Sequence, residues 1–194
     1  MKHFSELTAS AERIVDAGEA LIQRVGYNGF SYEDVAQMVG IRKPSIHHHF
    51  PTKIELGVVV AQRYTHRFRQ ALLHIEGTQA RAPERLCAYA QLFEATYAEN
   101  RRLCVCGMLG AESDSLPAEI NAEVRRFFEI NVAWLASVFA QGQEAGSFKP
   151  GVSAPDWAET ILATLEGAML VGRGLQSGRG PRQLMDMLLA TLTT

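Results

Sequence analysis

Apolar residues in this chain recur at intervals of three and four, and the runs are cut by glycine or proline at nearly every gap. That period places side chains along one face of an α-helix and is incompatible with the two-residue alternation of a half-buried strand. The first run is Ala11, Ile14, Val15, Gly18, Leu21, Ile22 and Val25, which predicts a helix from about Thr8 to Val25. Gly26 ends it, and Asn28-Gly29 signals a loop. Ser31 is a good N-cap for a short second helix, with Glu33 and Asp34 in its first turn and Val35, Ala36 and Val39 facing inward. Gly40 stops that helix, and Pro44 suits the first turn of a third, from about Lys43 to His49, with Ile46 and Phe50 inward.

The same reasoning continues to the C-terminus. Thr52 and Glu55 form a capping box that opens a long helix running past Leu56, Val59 and Tyr64 towards Leu73. Pro83 to Glu99 carries the stripe Leu86, Ala90, Phe93 and Tyr97, and residues 103–116 read as irregular or briefly helical. Pro117 opens a long helix to about Glu144, Asp156 one to about Leu175, and Pro181 a last one. No strand pattern appears, so the expected fold is all-α with about nine helices. With 47% hydrophobic and 21% charged residues the chain can bury a real core. No apolar run approaches the roughly 18 residues of a membrane span, and the first residues do not read as a secretory signal. Three cysteines, Cys87, Cys104 and Cys106, are too few for a disulfide scaffold. A cytoplasmic location is expected, with no membrane partner.

The net charge of −2 hides an asymmetry. Residues 40–75 hold six Lys or Arg against one acid, while residues 76–194 hold ten against fourteen. Two short helices joined across Gly40 make a helix-turn-helix, whose second helix enters the DNA major groove led by its N-terminal residues. Here those are Arg42, Lys43, Pro44 and Ser45. Three consecutive histidines, His47, His48 and His49, point about 100° apart on a helix and cannot share one ion, so no metal or other cofactor is expected. No Ser/His/Asp order, His-Glu-x-x-His, phosphate loop or dinucleotide fingerprint is present, so the chain does not read as an enzyme.

The order and spacing of Arg13–Ala17, Gly26–Ser31, Asp34–Ala36, Gly40-Ile41, His49–Lys53 and Glu55-Leu56 resemble the TetR/AcrR family of transcriptional regulators. The resemblance implies a helix-turn-helix DNA-binding domain at residues 1–52. A helical ligand-binding and dimerisation domain would follow at 53–194. Family members usually carry Tyr where this chain has His47, and a small residue where it has Pro44; imidazole retains a hydrogen-bond donor. The expected function is a repressor that binds a near-palindromic operator as a homodimer and is released by a small-molecule effector. Ser31, Arg42, Lys43, Ser45, His47, His48 and Lys53 are the candidate DNA contacts. Among them Ser31 and Lys53 would hold phosphate, while Arg42 and Lys43 would read bases. Phe93, Tyr97, Cys104, Phe127, Asn131 and Trp134 are candidates for the pocket, because a polar Asn131 on an aromatic stripe needs a partner that an effector could supply. Ile161, Leu165, Met169, Leu184 and Leu188 are candidates for the dimer interface.

A second resemblance lies at Leu103–Glu112, which is similar to the Gly-Cys-Leu-x-x-x-Leu-x-x-Glu stretch of a TetR-type branch that includes regulators answering to electrophiles or oxidants. It implies an alternative in which Cys104 is a sensor thiol, with Arg101 and Arg102 as positive neighbours that favour a thiolate. A helical adaptor without DNA binding is the remaining alternative; a steep loss of DNA affinity with salt separates it from a regulator.

Overall fold

The computed structural model describes residues 4–151 and 153–193. Its helices are α1 (Ala9–Val25), α2 (Tyr32–Val39), α3 (Lys43–His49), α4 (Lys53–Thr78), α5 (Ala82–Ala98), α6 (Val105–Ala111), α7 (Ala118–Glu144), α8 (Ala154–Gly174) and α9 (Pro181–Leu192). Short 3-10 turns at Phe4–Glu6 and Ser113–Ser115 complete the helical elements. Among the described residues the only β-type pairing is an isolated bridge between Phe148 and Thr193. The fold class is therefore all-α, as the periodicity requires. No helix among the described residues is long and apolar enough to cross a membrane.

The chain forms two compact units, residues 1–67 with 105–127 and residues 68–104 with 128–194. In the first unit, Thr8 caps α1 by accepting a hydrogen bond from the Ala11 amide, and the predicted stripe is buried from Ala11 to Ile22. Its last member, Val25, is exposed. Gly26 ends α1 at φ +81°, a conformation that favours glycine. Ile46 and Phe50, both essentially unexposed, seat α3 against the rest of this unit. Burial of two such side chains contributes roughly 1.5–3 kcal/mol each. The Tyr32 hydroxyl donates to the Phe50 carbonyl at 2.9 Å and ties the start of α2 to the end of α3.

Two arginines of the basic segment are drawn into ion pairs within this unit, Arg63 largely covered and Arg67 exposed. Arg63 pairs with Asp16 at 2.6 Å and Glu19 at 3.1 Å, and Arg67 pairs with Glu19 at 2.5 Å. These pairs lock α4 to α1 and remove two charges from the basic surface expected of residues 40–75.

In the second unit, α5, α8 and α9 pack together. Phe139 stacks on Phe148 with ring centres 4.7 Å apart and on Trp157 at 5.7 Å. Gly142 is required there, because a Cβ at that position would meet the Phe148 ring at 2.3 Å. Glu94 of α5 accepts from the Arg182 amide at 3.1 Å, supplying the start of α9 with the acceptor that Gly180 lacks.

Candidate nucleic-acid interface and buried polar cluster

The interface is built on α2 and α3. The Ser31 hydroxyl accepts from the Glu33 amide at 3.2 Å and donates to Asp34 at 2.7 Å, while Asp34 also accepts from the Ser31 amide at 2.7 Å. These hydrogen bonds hold the Asp34 carboxyl below its ordinary value. Ser31 is exposed, so it could reach a phosphate, but its hydroxyl hydrogen is already directed to Asp34. Gly40, at φ +73°, turns the chain into α3. Arg42, Lys43, Pro44, Ser45, His47 and His48 are all exposed, and Ile46 among them is fully buried. The burial of one residue fixes which side of this short helix faces out. His47 lies edge-on to Tyr32, ring centres 4.9 Å apart, with Nδ1 3.3 Å from the Pro51 carbonyl.

Lys53 adopts a geometry that sequence alone does not reveal. Its ammonium donates to the carbonyls of Tyr27 at 2.6 Å and Phe30 at 2.5 Å and lies over both rings, 4.5 and 4.2 Å from their centres. Burial pushes its pKa below the ordinary value, and the carboxylates of Glu112 and Asp34 pull it back. Two of its three donors therefore hold the loop between α1 and α2. On the same loop Glu112 accepts from the Tyr27 amide at 2.6 Å and the Asn28 amide at 3.1 Å, and the Asn28 side chain donates to Ser115 at 2.8 Å. Glu112 was visible in the sequence only as the end of the second resemblance, and its role as a loop anchor was not legible.

In the second unit, Tyr89, Phe93, Cys104 and Asn131 are buried. The Tyr89 hydroxyl donates to Asn131 Oδ1 at 2.8 Å, so a protein group supplies a partner that sequence reasoning assigned to an effector. Tyr89 stacks on Trp134 at 5.4 Å and meets Phe93 at 5.3 Å. Glu166 of α8 is hydrogen-bonded to Cys104, and burial pushes its carboxyl up to about 7. Neither Tyr89 nor Glu166 was among the predicted pocket residues. Both had a usable signal: Tyr89 lies three residues from Leu86, and Glu166 lies four from Leu162 and three from Met169. Tyr97 is buried against Gly172, where a Cβ would sit 2.6 Å from its hydroxyl. Phe127 belongs to the first unit, where it packs on Tyr64 at 5.6 Å, rather than with Phe93 and Trp134.

The thiols and the outward faces also differ from expectation. Cys104 and Cys106 are 1% and 0% exposed, so neither is open to a reagent in this conformation. Arg102 pairs with Glu99 at 2.8 Å and Arg101 points to the Gln176 carbonyl, while the charged group hydrogen-bonded to Cys104 is the carboxyl of Glu166. Ile161, Leu165 and Met169 are buried within the subunit at 0–1% exposure, so they cannot form a face for a second copy; Leu184 and Leu188 are half-buried. The apolar residues of α8 and α9 that stand outward are Leu170, Val171 and Met187, with Leu175 at the end of α8.

Comparison with known proteins agrees with this geometry. Residues 14–57 match the family described as bacterial regulatory proteins, tetR family, and residues 82–188 match the tetracyclin repressor-like C-terminal domain. The HTH-type transcriptional repressor DhaR of Mycobacterium sp. (strain GP1) is 24% identical over 165 residues, covering 84% of this chain and 82% of its own. A TetR-family transcriptional regulator from Agrobacterium tumefaciens superposes with a TM-score of 0.88 at 33% identity, covering 96% of this chain and 98% of the other. The reduced form of NemR from E. coli shares the fold, with a TM-score of 0.82 at 19% identity over 96% of this chain and 98% of its own. With its C-terminal match alone spanning more than half of its length, the chain belongs to the TetR family of bacterial transcriptional regulators.

Proposed function

We propose that this regulator is a repressor that binds a near-palindromic operator as a homodimer and is released by a small molecule held in its C-terminal part. Residues 1–52 serve as the DNA-binding domain and 53–194 as the effector and dimerisation domain. The observation that carries the reading is the exposed row of Arg42, Lys43, Ser45 and His48 on a helix seated by buried Ile46 and Phe50. A guanidinium at the leading end of such a helix pairs with guanine in the major groove, and the two-fold axis sets half-sites about 34–36 Å apart. Ser31, His47 and the remaining donor of Lys53 position the phosphate backbone. Repression, rather than activation, is supported by the relative DhaR, named as a repressor.

Selection of bound sequences from random DNA tests this reading: a two-fold symmetric consensus is expected, and recovery of no enriched sequence would exclude it. On the selected operator, Arg42→Ala should cost about 1–3 kcal/mol per half-site at one base pair, with little change on random DNA. Equal losses on both would make Arg42 a phosphate contact.

The dimer face follows from exposure. Leu170, Val171, Leu175 and Met187, at 58–72% exposure, are the apolar groups that a second copy would cover. Leu170→Glu combined with Leu175→Glu is expected to halve the sedimenting mass at micromolar concentration, while Leu184→Gln leaves it unchanged. A dimer that survives the double change would place the interface elsewhere.

The effector would act by preferring the conformation that does not bind DNA, shifting the long helix that follows Thr52. Enclosure of Cys104 favours a non-covalent effector over thiol chemistry. Operator release by an α,β-unsaturated carbonyl compound or hypochlorite is therefore expected to be the same for the unmodified protein and Cys104→Ser. Release lost only in Cys104→Ser would establish the thiol as the sensor.

A further inference from the structure

Three buried polar atoms of the second unit have no hydrogen-bond partner among the described residues: Tyr97 Oη, Trp134 Nε1 and Glu166 Oε1. Native interiors leave few such atoms, and each marks a place where a partner is expected. Glu166 is the most demanding of the three, because a carboxyl without a counter-charge is the hardest group to bury. The influences on its carboxyl are burial and a hydrogen bond from the Cys104 thiol.

An aromatic cluster neighbours Glu166 through Tyr89. Tyr89 lies close enough to feel its charge, and Tyr89 stacks on Trp134 and packs against Phe93. Tyr89 and Asn131 hydrogen-bond to each other. What this cluster still offers is one carboxylate oxygen of Glu166 and the indole N–H of Trp134. Tyr97 Oη, against Gly172, lies six residues further along α8, roughly 9 Å by helix rise, too far to share the same small charged group.

A buried acid beside aromatic faces is the chemistry that recognises organic cations. The carboxylate neutralises the positive charge, and the ring quadrupoles attract it. An anion would be repelled, and a neutral body would leave Glu166 Oε1 without a counter-charge. We infer that Glu166 is the charge-selecting residue of the effector site and that the effector is an organic cation, an amine with a flat apolar body. This rests on the reading that the second unit holds the effector. A bound ammonium favours the ionised carboxyl, so Glu166 gives up a proton on binding near pH 7. The other titratable groups that face it are Cys104 and Tyr89, and burial holds the Tyr89 phenol far above its ordinary value.

Isothermal titration of the full chain with benzylamine, benzyl alcohol and benzoate, at pH 8, separates the possibilities. Benzylamine is expected to bind at least ten-fold more tightly than the other two. In Glu166→Gln that advantage is lost while benzyl alcohol binding is retained. At pH 7 the heat of benzylamine binding should depend on the ionisation enthalpy of the buffer, a sign of proton release that needs no variant. Preference for benzyl alcohol or benzoate, an advantage that survives in Glu166→Gln, a heat that does not vary with the buffer, or no binding of any probe would overturn the inference. The last result is what an enclosed water at Glu166 would produce. Operator binding without probe is measured in parallel. A chain that binds operator but not benzylamine loses only this inference, whereas one that binds benzylamine but no DNA loses the repressor reading.

Discussion

Glu112→Ala is expected to loosen the loop between α1 and α2 and to destabilise the protein by about 3 kcal/mol, the scale of losing charge-assisted hydrogen bonds to two backbone amides. The two amides are those of Tyr27 and Asn28, and both would lose their carboxylate acceptor. The change also removes a carboxylate that offsets the effect of burial on the Lys53 ammonium, so the hold on the Tyr27 and Phe30 carbonyls weakens from the other side. Glu112→Gln is expected to recover less than half of the loss, since one of its two oxygens becomes an NH2 that cannot accept. Urea unfolding gives the free energy, and hydrogen exchange at the Tyr27 and Asn28 amides locates it. Exchange that speeds up throughout the unit, and not first at these two amides, would refute the local account.

The second large effect has the opposite sign. Glu166→Gln is expected to stabilise the protein at pH 8. Burial pushes the Glu166 carboxyl from 4.5 up to about 7, so between these values the folded state holds a proton that the unfolded state has released. Stability then falls as pH rises through this window and stays reduced above it. At 1.36 kcal/mol per pH unit the loss is about 3 kcal/mol, an amount that a neutral amide of the same shape avoids. Thermal melts from pH 5 to 8.5 should show a decline in the unmodified protein that flattens in Glu166→Gln. Parallel curves would mean that the carboxyl has a counter-charge or ready access to water.

How far the chain could be read depends on whether the deciding interaction is local. Gly26, Gly40, Pro44, Thr52 and Pro181 act on the backbone within a turn of themselves, so the helices and the helix-turn-helix were legible from position alone. A stripe such as Ile161, Leu165 and Met169 reports that a face is buried but not what covers it, and here the cover is the subunit's own interior. Leu170, Val171 and Leu175 lie off that stripe, and their exposure depends on where α8 settles in the fold. Charges were the least legible. Arg63 and Arg67 looked like part of a phosphate-attracting surface, yet their partners Asp16 and Glu19 lie more than 40 residues earlier. Lys53 is likewise turned to a loop 23 to 26 residues before it. A polar residue on an apolar stripe was the flag used at Asn131, and the same flag applied to Glu166 would have found the carboxyl of this cluster.

If the outward apolar patch on the last two helices is the dimer face proposed above, abundance becomes part of the mechanism. Pairing that covers Leu170, Val171, Leu175 and Met187 would be governed by mass action, so the fraction of chains able to grip both half-operators would fall with dilution. Below the dissociation constant of the pair, operator occupancy scales with about the square of the chain concentration. A two-fold drop in synthesis would then lower occupancy about four-fold, and the promoter would respond to the supply of its regulator as well as to the proposed effector.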